Sequence, residues 1–297
     1  MDIFGIIRFF LRRIDNRFNK RKKLQTSSLF IELNRREDMK VLINYANDLF
    51  RTSQQVNSTT GKTVGLFDEI ISYSPKDIDS EFYAMNKTIL SQKKGNGYWL
   101  WKPYFIKKTL EVLNDGDFLF YCDSGSYFLK PITPIINISL ETGQDVIPFE
   151  LMLMEKAWTK RDTFVLMDCD NPDFTDSNQR LGGFSLWRKS KFAMNVASEY
   201  LRFSQDPRII TDLENQFGYE NYPEFKQHRH DQSIFSLLTK KYELQAYRDP
   251  SQWGNKSRHV YPQSKYDQLI ELTRARDETI FQKILRKGSN AIKRFSK

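Results

Sequence analysis

The run Phe118-Leu119-Phe120-Tyr121-Cys122 is apolar at every position and then breaks abruptly into Asp123-Ser124-Gly125. A strand with one wet face alternates apolar and polar residues. A strand that never alternates needs cover on both faces, as in the centre of a parallel sheet flanked by helices. The residues before this run support that reading, because strand and helix signals alternate through the first half of the chain. Lys40-Val41-Leu42-Ile43-Asn44-Tyr45 reads as a strand, Arg51 to Lys62 as a helix, and Phe67 to Tyr73 as a strand closed by Ser74-Pro75. Asp77 to Gln92 reads as a helix interrupted by the glycine-containing Lys93 to Gly97, and Tyr104 to Leu113 as another helix with Pro103 in its first turn. This order predicts an α/β fold with a doubly wound sheet. The second half is less regular, with strands expected over Asp145 to Leu153 and Leu181 to Trp187 and a helix over Ser190 to Phe203. Neither an internal repeat nor a second core is visible. The reading is therefore one main domain over 39–262, preceded by a basic amphipathic segment and linker over 1–38 and followed by a basic amphipathic helix over 263–297.

Charge separates the ends from the body. Residues 1–24 carry eight basic and two acidic side chains, residues 273–297 carry the same numbers, and the residues between them are left at −3 of the chain's net +9. A mildly acidic body argues against a broad nucleic-acid groove. The ends also show helical periodicity, with Ile3, Ile7, Phe10, Ile14 and Phe18 on one face, and Phe281, Leu285, Ile292 and Phe295 in a similar stripe. Basic amphipathic helices lie in the headgroup region of anionic membranes, although packing of such a helix on the body gives the same pattern. No apolar run approaches the length of a membrane span, and Arg8, Arg12 and Arg13 interrupt any secretory core, so the expected location is cytoplasmic, peripheral on the inner face of the cell membrane. Cys122 and Cys169 have no partner at metal-ligand spacing and read as core residues.

Four constellations carry candidate chemistry. Asp123-Ser124-Gly125 follows the apolar strand, and ligands of open α/β sheets bind beyond the carboxyl ends of strands; an ordinary strand-to-turn junction has the same residues. His228-Arg229-His230-Asp231-Gln232-Ser233 gathers two of the three histidines beside an Asp, a set that suits phosphate binding or a general base, while Asp231 also suits a helix N-cap. Tyr98-Trp99-Leu100-Trp101-Lys102-Pro103-Tyr104 places aromatic platforms around a cation, with core anchoring as the plainer role. Gly182-Gly183 admits a ligand against the backbone or marks a bulge. Dinucleotide, P-loop and serine-hydrolase motifs are absent from the sequence.

In this order the features resemble the GT-A nucleotide-sugar glycosyltransferases, especially bacterial capsular and surface-polysaccharide enzymes, from about Met39 to His259. The resemblance implies a Rossmann-like, mostly parallel sheet and hexosyl transfer from a nucleotide-diphosphate sugar, a UDP-sugar, to a hydroxyl of a growing, polyprenyl-diphosphate-linked glycan. It implies donor binding by Asn44, Tyr45, Asp68, Trp99, Lys102, Asp123, Ser124 and Gly125, with Asn44, Tyr45 and Asp68 at the ends of the first two strands. It places Gly182, Gly183, His228 and His230 near the acceptor and Asp231 and Gln232 at the reacting carbon. The family's Asp-x-Asp motif holds Mn²⁺ or Mg²⁺. Here Asp123 stands alone, so His259 is expected to complete a metal shell or metal dependence to be weak. In the inverting case Asp231 is the general base; in the retaining case Gln232 or a backbone group stabilises the oxocarbenium-like ion. The alternative is a non-catalytic glycan-binding or membrane-associated scaffold of the same fold.

Overall fold

The computed structural model describes residues 38–273. Of the amphipathic segments expected at the two ends, residues 1–37 and 274–297 lie outside the described residues, and from Met39 on the described chain forms one compact unit.

The central sheet contains β1 (Lys40–Tyr45), β2 (Glu69–Tyr73), β3 (Phe118–Cys122), β5 (Val146–Ile147) and β8 (Phe184–Arg188) in the order β2-β1-β3-β8-β5. β1 is parallel to β2 and β3, and β8 is antiparallel to both β3 and β5, so four strands share one direction. The mostly parallel α/β class expected from the sequence is the class observed. Five more strands contribute the small sheets: β4 (Ser126–Phe128) pairs with β10 (Ile270–Leu272), and β6 (Phe149–Met154) lies between β7 (Asn178–Arg180) and β9 (Tyr247–Arg248). Because β10 pairs antiparallel with β4, the body continues past residue 262, correcting the expected boundary.

β3 is central, which explains its composition. Leu119 and Tyr121 face one core with Val41, Ile43 and Trp187, whereas Phe118, Phe120 and Cys122 face the other with Leu42, Leu186 and Ile147. Among the longer helices, α2 (Trp101–Val112), α4 (Lys191–Ser204) and α5 (Asp231–Lys241) contribute to the first core and α3 (Thr133–Thr142) to the second. α1 (Arg51–Thr60) packs near the end of β1. Each element has a local cause. Pro103 lies in the first turn of α2, where a missing N–H costs nothing. Ser190 caps α4 by accepting from Ala193 N at 3.0 Å. The strand expected from Asp145 to Leu153 is two strands, divided at Pro148, which cannot donate to a ladder. Cys122 and Cys169 are both free and buried. Among the described residues no helix is long and apolar enough to cross a membrane.

Candidate active site

At the carboxyl end of β3 the chain is tied to both neighbouring strands. Asp123 N donates to Gly183 O at 2.9 Å, and Ser124 Oγ donates to Tyr45 O at 2.5 Å. The Asp123 side chain remains 45 % exposed. Tyr121, two residues earlier on the same strand face, donates its hydroxyl to Asp123 Oδ1. Lys102 Nζ stands 3.8 Å from the same oxygen.

Lys102 is the junction of the site. It is the second residue of α2 and is 4 % exposed. Its Nζ donates to Gly182 O at 2.9 Å and to Asp231 Oδ2 at 2.6 Å. Asp231 is 3 % exposed, and its Oδ2 also accepts from Tyr200 Oη on α4 at 3.3 Å. Burial raises Asp231 to about 6; Lys102 opposes the rise and the charge on Asp123 adds to it. Burial also works against the Lys102 charge, but the Asp231 and Asp123 carboxylates outweigh it and hold the amine above its ordinary value. Burial and the adjacent carboxylates push Tyr121 and Tyr200 well above the usual phenol range, so both act as donors. The result is an alternating array, Asp123–Lys102–Asp231, with one carboxylate open to solvent and the other enclosed.

Gly182 and Gly183 complete the wall. A Cβ on Gly182 would stand 2.9 Å from Gln232 Cβ, and one on Gly183 would stand 3.2 Å from Asp123 Oδ2. These glycines therefore serve close approach between the β7–β8 connection, the start of α5 and the open carboxylate. Gln232 is locked in the same contact, accepting from Gly182 N at 3.0 Å and donating to Gln179 Oε1 at 2.7 Å.

The structure separates other expected site residues from this array. Asp68 precedes β2, accepts from Lys40 N at 2.8 Å and pairs with the Lys40 side chain at the start of β1. It therefore lies at the amino edge of the sheet, about 16 Å, one strand length, from the edge that carries Asp123. Asn44 is at the correct edge, but its amide donates to Asn57 Oδ1 and Ser58 Oγ at 2.8 and 2.9 Å and accepts from Gln54 at 2.9 Å, joining β1 to α1. Its hydrogen-bonding capacity is taken up by the fold. Tyr45 stacks on Trp101 with ring centroids 3.8 Å apart, and its hydroxyl accepts from Asn96.

His228 and His230 are buried rather than presented to an acceptor, at 3 % and 2 % exposure. His228 Nε2 donates to Ile209 O at 2.8 Å and Nδ1 accepts from Lys160 N, while His230 Nδ1 donates to Ile210 O at 2.8 Å. Burial holds His228 well below its ordinary value and lowers His230 to about 4, so both are neutral at physiological pH. Asp231 is the first residue of α5, and His230 occupies the cap position with φ +55°.

Trp99 stacks on the His230 ring at 5.3 Å and ends a left-handed turn in which residues 95–99 all have positive φ. Three of the five are not glycine, so the turn carries a conformational cost of roughly 1–2 kcal/mol at each of Asn96, Tyr98 and Trp99. It is held by Gly97 N to Gln92 O at 2.8 Å, Tyr98 N to Lys94 O at 2.8 Å and Trp101 Nε1 to Gly95 O at 2.9 Å. Gly97 has φ +94° and no space for a side chain, because a Cβ would meet Leu90 Cα at 2.7 Å. Gly97→Ala is expected to destabilise the fold by about 2–4 kcal/mol in urea denaturation, since neither the backbone angle nor the contact can relax cheaply. A change under about 0.5 kcal/mol would show that the turn does not hold this conformation in solution.

The divalent metal implied by the sequence resemblance does not fit this donor set. Asp123 Oδ1 already accepts from Tyr121 and faces Lys102, and Asp231 is neutralised by Lys102. His259 is exposed, and among the described residues no group of three or more His, Cys, Asp and Glu side chains is placed to hold a metal ion. One open oxygen, Asp123 Oδ2, is not a protein-built cation site.

Several members of the array were not read from the sequence as site residues. Tyr121 was within reach, since period-two spacing puts it on the face of Asp123. Tyr200 and Gln179 lie in ordinary helix and strand patterns and carry no local signal.

The fold and site together define an α/β protein with a cluster of charged side chains at the carboxyl edge of its parallel strands. No protein-family profile matches the chain, and no curated protein sequence matches it. Solved structures similar to it include mouse xyloside xylosyltransferase 1 in its apo form, at 10 % identity over 79 % of this chain and 97 % of that one, with a TM-score of 0.44. A second is galactosyltransferase LgtC in complex with donor and acceptor sugar analogues, at 11 % identity over 78 % of this chain and 86 % of that one, with a TM-score of 0.44. A third is a glycosyltransferase involved in glycosylation of the major capsid of PBCV-1, at 12 % identity over 79 % of this chain and 94 % of that one, with a TM-score of 0.41.

Proposed function

We propose that the chain is a glycosyltransferase that moves a sugar from a nucleotide-diphosphate sugar, a UDP-sugar, to a hydroxyl of a growing, lipid-linked surface glycan. The observation that supports this reading most is the half-exposed Asp123 carboxylate at the carboxyl end of the central parallel strand, where open α/β sheets bind nucleotides. Tyr121 and Lys102 hold Oδ1, which leaves Oδ2 to accept from hydroxyls of the donor. Gly182 and Gly183 are packed against Gln232 and Asp123, so they shape the site's wall and do not themselves meet the acceptor, and the Lys102 charge beside Asp123 keeps that carboxylate in place.

Asp231 has a revised role in this scheme. Its carboxylate is enclosed and bound to Lys102, so it anchors the cation rather than meeting an acceptor hydroxyl directly. The carboxylate that substrate meets is Asp123. The basic segments at 1–24 and 273–297 support delivery to an anionic membrane surface on the cytoplasmic side, where a polyprenyl-diphosphate acceptor would reside.

Thermal shift with a panel of nucleoside diphosphates tests the reading. One nucleotide is expected to raise Tm by several degrees at 100 times its Kd, equivalent to about 2.7 kcal/mol, and Asp123→Ala is expected to lose that rise. Running the same scan with Mn²⁺ and with EDTA shows whether a cation enters with the nucleotide. A flat response to every nucleotide, with binding only to free glycan, would replace the transferase by a glycan-binding scaffold.

A further inference from the structure

Glu155 lies outside the carboxylate array, at the first residue of a short helical turn after β6, and has no exposed surface. Its two oxygens take four donors. Oε1 accepts from Thr159 Oγ1 at 2.6 Å and Gln179 Nε2 at 2.9 Å, while Oε2 accepts from Lys240 Nζ at 2.6 Å and from Ser236 Oγ. Ser236 and Lys240 are one helical turn apart on α5, so this carboxylate also docks the helix whose first two residues are Asp231 and Gln232.

A carboxylate with four donors around it only accepts, and that fact fixes a direction. Gln179 must turn its nitrogen toward Glu155, which aims its oxygen the opposite way, at Gln232 Nε2. Gln232 then has only its oxygen left for the Gly182 N–H, at 3.0 Å. Gly182 is thereby held from one side by Gln232 and, through its carbonyl, meets Lys102 Nζ from the other at 2.9 Å. Were either amide reversed, two donors or two acceptors would face each other within a buried network, costing about 1–3 kcal/mol per unsatisfied group.

We infer that Glu155 is a positioning residue that sets the polarity of a hydrogen-bond relay, Glu155–Gln179–Gln232–Gly182–Lys102, and so places the Lys102 ammonium between Asp123 and Asp231. The relay concerns the geometry of the site and stands whether or not the donor is a nucleotide sugar. Gln232 acts as one of its links, with its amide committed at both ends.

The test cuts the relay without touching the Glu155–Lys240 pair. In the full-length, isotope-labelled chain, Gln179→Met is expected to raise hydrogen exchange of the Gly182 amide at least tenfold, while amides of β3 keep their wild-type rates. The carboxyl resonance of Asp231 is expected to titrate at a higher midpoint, because Lys102 has lost one of the contacts that hold it there. Gln232→Met cuts the next link and should reproduce both changes, which keeps the test decisive if Gln179→Met does not fold. Ser236→Ala removes a Glu155 donor that bonds neither Gln179 nor Gln232 and should move neither readout. Wild-type exchange at Gly182 together with a wild-type Asp231 midpoint in either relay variant would overturn the inference. So would equal changes in Ser236→Ala, which would indicate general loosening instead of a directed relay.

Discussion

Lys102→Met lowers the stability of the fold by about 3–5 kcal/mol at pH 8 and by much less at pH 5, read by urea denaturation at the two pH values. The side chain is replaced by one of similar length, so the loss is chiefly that of the charge. Asp231 is 3 % exposed, and its oxygen is 2.6 Å from the ammonium. Without Lys102 the carboxylate is either buried unpaired or protonated against the pH of the solution. The sign follows from its shift. Asp231 is raised to about 6 in the folded chain, so its contribution is full below its ordinary unfolded value and falls as pH rises through about 6. Lys102 opposes that rise. Its removal lifts Asp231 further, and the decline continues to higher pH in the variant than in the wild type. The two proteins therefore diverge most on the alkaline side. A penalty independent of pH between 5 and 8 would mean that Lys102 contributes by packing and that the ion pair is not the cause.

Asp123→Asn is expected to have the opposite profile, with stability within about 0.5–1 kcal/mol of wild type and transferase turnover down about 10²–10³-fold. The side chain is nearly half exposed, and an amide oxygen still accepts from Tyr121. What disappears is the charge at the one open oxygen and half of the electrostatic frame around Lys102. Initial rates with the nucleotide sugar selected by thermal shift, alongside urea denaturation, separate the two effects. Turnover within twofold of wild type would remove Asp123 from the site. A large loss of stability would make it a structural residue instead. Comparison with Asp231→Asn is informative because the enclosed carboxylate should show mainly a stability change, the exposed one mainly a change in rate.

Residues with the same chemistry thus have different duties, and the difference lies in enclosure. The apolar run before Asp123 announced a strand covered on both faces, and it is the central strand of the sheet. An unbroken apolar run is a local property, and no distant contact is needed to read it. The helix after Pro103, the helix from Ser190 to Phe203 and the helix after His230 were legible for the same reason. The left-handed turn at residues 95–99 was visible only as an interruption rich in glycine, because the sign of φ at Tyr98 and Trp99 is imposed by packing on His230.

His228 and His230 show where local reading stops. Set among Arg and Asp they look like an exposed reactive cluster, yet the backbone carbonyls of Ile209 and Ile210 close over them. Asp68 shows the same limit differently. Its neighbours mark a strand, but its partner Lys40 places it at the amino edge of the sheet, away from Asp123.

By itself the sequence determined the α/β class, the central strand and the carboxylate that ends it, since all three follow from hydrophobic period and from residues adjacent in the chain. Only the tertiary structure decided that Lys102 meets Gly182, 80 positions away, that Asp231 is enclosed while Asp123 is open, and that Gln179 and Glu155 take part at all. Those outcomes depend on desolvation and on the direction of hydrogen bonds between distant segments, and both are properties of the assembled core.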